Sequence, residues 1–242
     1  MIAALAAIGL AGCSPMPDLA DLTSEDAYDV GVSAMASKDY FIAIEAFRRV
    51  TDLYPLSPEA DDALLGLADA HREIREYALA EHEYMRLGSE YPDSHLVAEA
   101  EFKLGVTYFE QSRPAALDQA MTRRALAQLN RFIVSYPSSE HAAEAHELKN
   151  ELRSRLAEKL YMSAQLYLQL KDIDAAGVYF NQIVKEYPDT PWAPRALDTW
   201  EKTLREAGET ARADEVRERR LELFPDDAGG VSFEERADQT GP

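Results

Sequence analysis

The side chains that most often act in catalysis or bind metal ions are scattered along this chain. The five histidines do not show the spacing of a zinc-binding helix, in which two histidines lie four residues apart; they are His71, His82, His95, His141 and His146. The sequence contains no phosphate-binding glycine loop and no nucleophile-elbow motif. Carboxylates are so abundant that close pairs arise by chance. We therefore expect a protein that is not an enzyme, with no metal site and no cofactor.

The single cysteine, Cys13, has a more informative setting. Residues 2–12 are apolar and uncharged; the run is shorter than the roughly 20 residues that span a bilayer and is typical of a secretory signal. No Lys or Arg precedes it, so we expect the natural start to lie a few residues upstream. The sequence Leu10-Ala11-Gly12-Cys13 resembles the lipobox of bacterial lipoproteins, which implies a signal peptide at 1–12 and a covalent lipid on Cys13. The alternative is an apolar N-terminus with an incidental cysteine.

A four-residue unit, Tyr-Pro-x-Ser/Thr, recurs along the chain. Its copies are Tyr54-Pro55-Leu56-Ser57, Tyr91-Pro92-Asp93-Ser94, Tyr136-Pro137-Ser138-Ser139 and Tyr187-Pro188-Asp189-Thr190, with a weaker copy at Phe224-Pro225-Asp226-Asp227. The proline ends a helix and disfavours helical geometry at the residue before it. The hydroxyl two residues later is placed to cap the next helix. The unit therefore predicts a helix end, a turn and a helix start.

The spacing of these units indicates the architecture. Two of the four steps between prolines are 37 residues, close to the period of about 34 residues of the tetratricopeptide repeat, a helix–turn–helix unit. Apolar residues with helical periodicity fill the intervals. The predicted fold is all-α, an α-solenoid of about five tetratricopeptide-like helix–turn–helix repeats.

The repeats define the predicted organisation. Residues 13–23 form a lipidated tether, 24–137 repeats one to three, 138–225 repeats four and five, and 226–242 a disordered tail. Ser24 is the expected cap of the first helix. Small and aromatic residues occupy the positions where paired helices cross: Gly31, Ala43 and Phe47 in repeat one, Ala68, Ala80 and Tyr84 in repeat two, Gly105, Ala125 and Phe132 in repeat three, and Ala164, Ala176 and Phe180 in repeat four. Repeat five contains Leu197, Trp200, Ala213 and Phe224.

Two segments depart from the regular pattern. Repeat three contains an insertion at residues 110–118, which is either a functional loop or a tolerated insertion. The segment from Ala142 to about Leu170 has no proline or glycine and is longer than one repeat helix, so it forms either one long helix or two with a slight break. The net charge of −19 disfavours nucleic-acid binding and favours basic partners, or else only a solvated acidic surface.

The third repeat contains the residues that best distinguish this chain from a generic tetratricopeptide-repeat protein. It contains Phe102-x-x-Gly105-x-x-Tyr108, then Asp118-Gln119, Thr122-Arg123, Ala125 and Phe132-Ile133-x-x-Tyr136-Pro137-x-Ser139. With the lipobox, the short tether and the repeats, these residues resemble the BamD family of outer-membrane lipoproteins. The chain departs from that family at Val178-Tyr179-Phe180, where the family often has Asn-Arg-Phe, so any contact made by that arginine is lost here.

The resemblance implies a lipid-anchored scaffold on the periplasmic face of the outer membrane. Its partners would be the barrel-forming subunit of the β-barrel assembly machinery, other assembly lipoproteins and unfolded outer-membrane precursors. The first helices of the repeats would line a partner-binding groove that includes Tyr28, Val32, Met35, Leu65, Phe102, Val106 and Phe109. Each of these is alternatively an ordinary core residue. The alternative functions are a tetratricopeptide lipoprotein that organises the envelope or the division machinery, and a cytosolic scaffold.

Overall fold

The computed structural model describes residues 21–225, which form ten α-helices and no strand. The all-α prediction is confirmed. The helices are α1 Ser24–Ala36, α2 Tyr40–Leu53, α3 Ala60–Glu73, α4 Tyr77–Glu90, α5 Val97–Gln111, α6 Ala120–Ser135, α7 Ala142–Gln169, α8 Ile173–Glu186, α9 Trp192–Glu206 and α10 Thr210–Leu223. Consecutive helices pair as hairpins, so the five predicted helix–turn–helix repeats are present.

The Tyr-Pro-x-Ser/Thr units form the turns between hairpins. In each full copy the Ser or Thr N–H donates to the tyrosine carbonyl at 2.9–3.2 Å, which closes a turn with proline at its favoured second position. Each tyrosine is the C-cap of the preceding helix. The φ of Tyr54, for example, is −129° and its ψ is 48°. This geometry lies outside the helical region, as expected before proline.

The expected side-chain caps are only partly observed. The Oγ atoms of Ser94 and Ser139 accept from nearby backbone N–H groups at 3.1 and 3.3 Å. Thr190 instead donates its hydroxyl back to the Tyr187 carbonyl at 2.8 Å, because the turn places that acceptor closer than the next helix. The cap expected at Ser24 is wrong by one residue, since Thr23 Oγ1 accepts from the Asp26 N–H at 3.2 Å.

The first compact unit runs to Ala100, and its core is built around Phe47. This ring lies between two helices at glycines: a Cβ added at Gly31 of α1 would lie 2.5 Å from it, and one added at Gly66 of α3 would lie 2.7 Å from it. Before α1, the Leu22 carbonyl accepts from Tyr54 Oη at 3.0 Å and from Arg49 Nη2 at 3.2 Å. The chain is therefore fixed to the first hairpin from Leu22 onward.

The second compact unit begins at Glu101, so the boundary between the two compact units falls within α5. Helix α7 is one continuous helix of 28 residues, which decides between the two alternatives for this segment. Phe180 and Trp200 lie in a core cluster built from α7 to α10. On α7, Arg153 Nε donates to Asp189 at 2.7 Å and fixes the turn that follows α8.

The insertion in repeat three is an ordered loop. Gln119 is buried, and its Nε2 donates to the carbonyls of Pro114 and Leu117 at 2.9 and 3.1 Å. Its Oε1 accepts from Thr122 Oγ1 at 2.7 Å. Lys159 of α7 donates to the Ala116 carbonyl at 3.0 Å. One amide side chain therefore holds the loop together, and α7 supports it.

Some predictions fall outside residues 21–225. The signal peptide at 1–12, the lipidation of Cys13, most of the tether and the tail at 226–242 lie there. Within the described residues, no helix has both the length and the apolar character needed to cross a membrane.

Candidate partner-binding face

Three of the predicted groove residues share one face of α1. Tyr28, Val32 and Met35 are spaced by four and three residues, which places their side chains on one side of a helix. The side chain of Val32 is 46% exposed, while Tyr28 and Met35 are half-buried. The Tyr28 ring packs against Phe47 with centroids 5.9 Å apart. An apolar strip with accessible edges therefore lies on α1, and we call these three residues the α1 face.

Leu65 and Phe102 do not offer comparable surface. Leu65 is 8% exposed and Phe102 is 4% exposed. The Phe102 ring is stacked on the His141 ring at 4.5 Å and packs against Phe132 at 5.4 Å. Both side chains belong to the packing core, because neighbouring helices cover them. That Leu65 and Phe102 contact a partner in the groove therefore stays a prediction, and the burial of both side chains does not support it.

Val106 and Phe109 lie on α5 in the second unit, and both are half-buried. The guanidinium carbon of Arg155, from α7, lies 5.5 Å from the centre of the Phe109 ring. Arg155 also donates to Ser112 Oγ at the start of the insertion. The accessible part of α5 is thus bordered by a cation, whereas carboxylates surround the α1 face.

A group of carboxylates acts on Tyr28. Burial raises the pKa of the Tyr28 hydroxyl, and the negative charges of Asp62, Asp29, Asp61 and Glu59 raise it further. Burial also raises the pKa of the Asp62 carboxyl, with the neighbouring Asp61 adding to the effect. Like charges are thus held together at the edge of an apolar strip. Such a surface attracts basic groups and allows apolar contacts beside them.

The sequence analysis missed this carboxylate group. Asp61 and Asp62 begin α3 as adjacent acids, but acids are common in the chain, so nothing in the pattern singled them out. Their position near Tyr28 depends on how α1 and α3 pack. Among residues 21–225, no set of three or more His, Cys, Asp or Glu side chains has the arrangement of a metal site.

Comparison with known proteins identifies the family. A family model described as "YfiO: Outer membrane lipoprotein" matches residues 20–219. The chain belongs to this family. The outer membrane protein assembly factor BamD of Vibrio cholerae serotype O1 is 25% identical over 212 residues, which cover 83% of this chain and 88% of that protein. The BamD of Pasteurella multocida is 24% identical and covers 80% of this chain and 78% of that protein. The resemblance inferred from the third repeat is confirmed.

Among solved structures, a thermophilic TPR protein from Thermus thermophilus is similar at 18% identity with a TM-score of 0.42, covering 85% of this chain and 93% of that one. A crystal structure of MamA protein is similar at 18% identity with a TM-score of 0.36, covering 86% of this chain and 96% of that one.

In this member of the YfiO family, Tyr179 stands where the arginine was expected from the resemblance. Its ring stacks on Tyr167 with centroids 5.3 Å apart. A hydrogen bond between the Tyr179 and Tyr167 hydroxyls raises the pKa of Tyr179. The preceding Val178 is 65% exposed. This surface of α8 is therefore aromatic and apolar, without a cation at position 179.

Proposed function

We propose that this protein is a lipid-anchored scaffold of the β-barrel assembly machinery, held on the periplasmic face of the outer membrane by a lipid on Cys13. The observation that carries the proposal is the family match over residues 20–219, together with two relatives named as assembly factors. In this function the protein binds other proteins and transforms none of them. Its partners are the barrel-forming subunit, other assembly lipoproteins and unfolded outer-membrane precursors.

The α1 face is the proposed site for precursor segments. Its apolar strip and the adjacent carboxylates fit a peptide that combines aromatic or aliphatic side chains with basic ones. Val32 offers the exposed side chain, and the Tyr28 and Met35 edges extend the contact. Burial, and after it repulsion from Asp61, raises the pKa of Asp62, so its ionised form is a cost to folding, and such costs are commonly retained at binding sites.

The α8 surface at Val178 and Tyr179 is the proposed docking site for the barrel-forming subunit. An exposed valine beside a stacked tyrosine pair supports apolar docking in place of the ionic contact that an arginine would make. We expect this contact to depend weakly on salt, because burial of apolar surface is not screened by ions.

Site-specific photocrosslinking tests the precursor site. A photoreactive residue at Val32 should capture outer-membrane precursors in cells, because this position lies at the exposed edge of the α1 face. The matched control is Phe41 on α2, which is 69% exposed and outside that face. Equal capture at both positions, or capture at neither, would reject the α1 face as the site.

Affinity purification from solubilised outer membrane tests the wider function. The full chain should copurify with an integral β-barrel protein, and Val178→Asp should reduce the recovered barrel protein severalfold without changing the melting temperature. Leu56→Asp, at another exposed apolar position, should have no effect. Recovery of division or peptidoglycan-associated proteins without a barrel protein would favour the envelope-organising alternative.

A further inference from the structure

Helix α6 differs from the other described helices in its charge. Each of the other nine contains at least one Asp or Glu, whereas α6 (Ala120–Ser135) contains none and has three arginines. Residues 112–139 contain four arginines and one aspartate in a chain whose net charge is −19. A local excess of positive charge in so acidic a protein requires an explanation beyond general solubility.

The arginines lie on the outer side of α6 and its adjoining loop. Arg123 is exposed, and Arg131 is 62% exposed with its nearest carboxylate, Glu101, 3.5 Å away. Arg124 lies over the Tyr108 ring at 4.3 Å, which fixes its direction. Within residues 21–225, no ion pair joins Arg123 or Arg113 to a carboxylate. Arg113 and Arg123 therefore carry positive charge that no ion pair within residues 21–225 offsets, whereas Arg131 pairs with Glu101 and donates to Gln128 Oε1.

The ordered insertion loop forms one wall of a shallow cavity beside these arginines. A shallow cavity of about 390 Å³ is lined by residues 116–119, Arg123 and Lys159. The Gln119 amide holds the loop, and Asp118 Oδ1 accepts from the Ala120 N–H at 2.9 Å. The carboxylate of Asp118 is therefore engaged in capping α6. The cavity and the exposed arginines of α6 form one surface, which we call the α6 basic surface.

We propose that the α6 basic surface is a docking site for a short acidic segment of a partner protein. Arg123 and Arg131 are eight residues apart, about 12 Å along a helix, so carboxylates about two helical turns apart on the partner would meet both. Arginine forms paired hydrogen bonds with carboxylates. Ala127, exposed between them, leaves space for the backbone of the segment.

The chemistry of the surface favours a protein partner over a lipid surface. Membrane-binding helices combine basic residues with large apolar side chains that enter the lipid, whereas α6 exposes only Val134 among large apolar residues. Polybasic lipid-binding segments also act through long-range attraction to anionic lipids, which the strongly acidic background of this chain opposes. An acidic protein segment needs only a few well-placed arginines.

Fluorescence anisotropy with the full chain tests the proposal. The probe is a labelled helical peptide with glutamates at positions one, five and nine, compared with the same peptide carrying glutamines. Arg123→Gln/Arg131→Gln should weaken binding of the glutamate peptide about tenfold. The matched control, Arg75→Gln/Arg217→Gln, removes the same charge elsewhere and should change binding less than twofold.

The remaining outcomes overturn the proposal. Equal weakening by both double variants would show an effect of net charge alone. Equal binding of the glutamine peptide would show that carboxylates are not recognised. Vesicles containing 30% phosphatidylglycerol, bound in an α6-dependent manner while the glutamate peptide is not, would identify a lipid surface as the ligand. Because α6 belongs to the second unit and the α1 face to the first, loss of precursor capture would leave this test unaffected.

Discussion

Phe47 shows how single residues set the packing of the first unit. Its ring is 2% exposed and occupies the space that side chains at Gly31 and Gly66 would need. The two glycines allow α1 and α3 to approach the ring from both sides. The small-residue positions chosen from the repeat pattern are thus explained by contact distances.

Gly31→Ala should lower the free energy of unfolding by about 1–3 kcal/mol, because the new Cβ would overlap the Phe47 ring. The measurement is urea denaturation followed by circular dichroism. Phe47→Leu in the Gly31→Ala background should restore part of the loss. Gly88→Ala is the control, since its Cβ would meet only Val97 at 4.0 Å and should stabilise the helix by about 0.5–1 kcal/mol. Equal effects at Gly31 and Gly88 would contradict the packing argument.

Two carboxylates should affect the pH dependence of stability in opposite directions. The pKa of Asp62 is raised by burial and by Asp61, so its ionisation opposes folding; the stability it contributes is complete below about pH 4 and is lost as the pH rises through the raised pKa. Asp62→Asn should therefore raise the unfolding free energy at pH 7, with no gain at pH 3.

Arg153 lowers the pKa of Asp189 through a hydrogen bond, so ionised Asp189 favours folding above about pH 4, and this contribution is lost as the pH falls through the lowered pKa. Asp189→Asn should reduce the melting temperature at pH 7 and have less effect near pH 2. Thermal melts of both variants across this range give the comparison. A decrease at pH 7 in both variants would contradict the assignment for Asp62.

At the scale of elements, four hairpin turns each contain one residue with a positive φ. Lys38, Arg75 and Lys171 follow the first helix of their hairpins with φ of 61°, 63° and 60°, and Gly208 has the same role with φ of 81°. The left-handed conformation is unfavourable for residues with a Cβ by about 1–2 kcal/mol. Three hairpins therefore tolerate a cost that the last hairpin avoids.

Lys171→Gly should stabilise the protein by about 1 kcal/mol, because glycine adopts a positive φ without a steric penalty. Gly208→Ala should destabilise it by a similar amount, and since no atom lies within 4 Å of the added Cβ, the effect would come from the backbone alone. Differential scanning calorimetry of both variants measures the two shifts. A loss of stability in Lys171→Gly would show that the lysine side chain makes a stabilising contact.

The sequence predicts where the turns lie more accurately than it predicts which apolar side chains are exposed. A Tyr-Pro pair fixes local geometry wherever it occurs, so the turns at Tyr54 and Tyr187 follow from the sequence. The same periodicity that placed Val32 and Leu65 on apolar faces does not say which of them a neighbouring helix covers. The capping residue was misplaced at Ser24 because Thr23 and Ser24 are equally suitable caps, and only the backbone geometry distinguishes them.

At the scale of the whole molecule, charge is distributed unevenly between surfaces. Carboxylates border the α1 face, whereas α6 has arginines only. One chain thus carries both an acidic surface and a basic surface. Binding at either charged surface should weaken as the salt concentration rises, because interactions between exposed charges are screened over about 8–10 Å at physiological salt.

Cys13→Ala should move the protein from the membrane fraction to the soluble fraction. The lipid proposed on this cysteine would supply the anchor. Cell fractionation followed by immunoblotting measures the distribution, and circular dichroism of the variant checks that its helices are intact. Retention of the variant in membranes after a high-salt wash would mean that protein partners, and not the lipid, hold the chain there.

The bonds from Arg49 and Tyr54 to the Leu22 carbonyl give the anchor a definite length. Leu22 lies nine residues after Cys13 in the sequence, and an extended chain covers about 3.3–3.6 Å per residue. A lipid on Cys13 would therefore keep Leu22, where the chain is fixed to the first hairpin, within about 30 Å of the bilayer surface. The α1 face, which begins six residues later at Tyr28, would then meet polypeptides that pass close to the membrane.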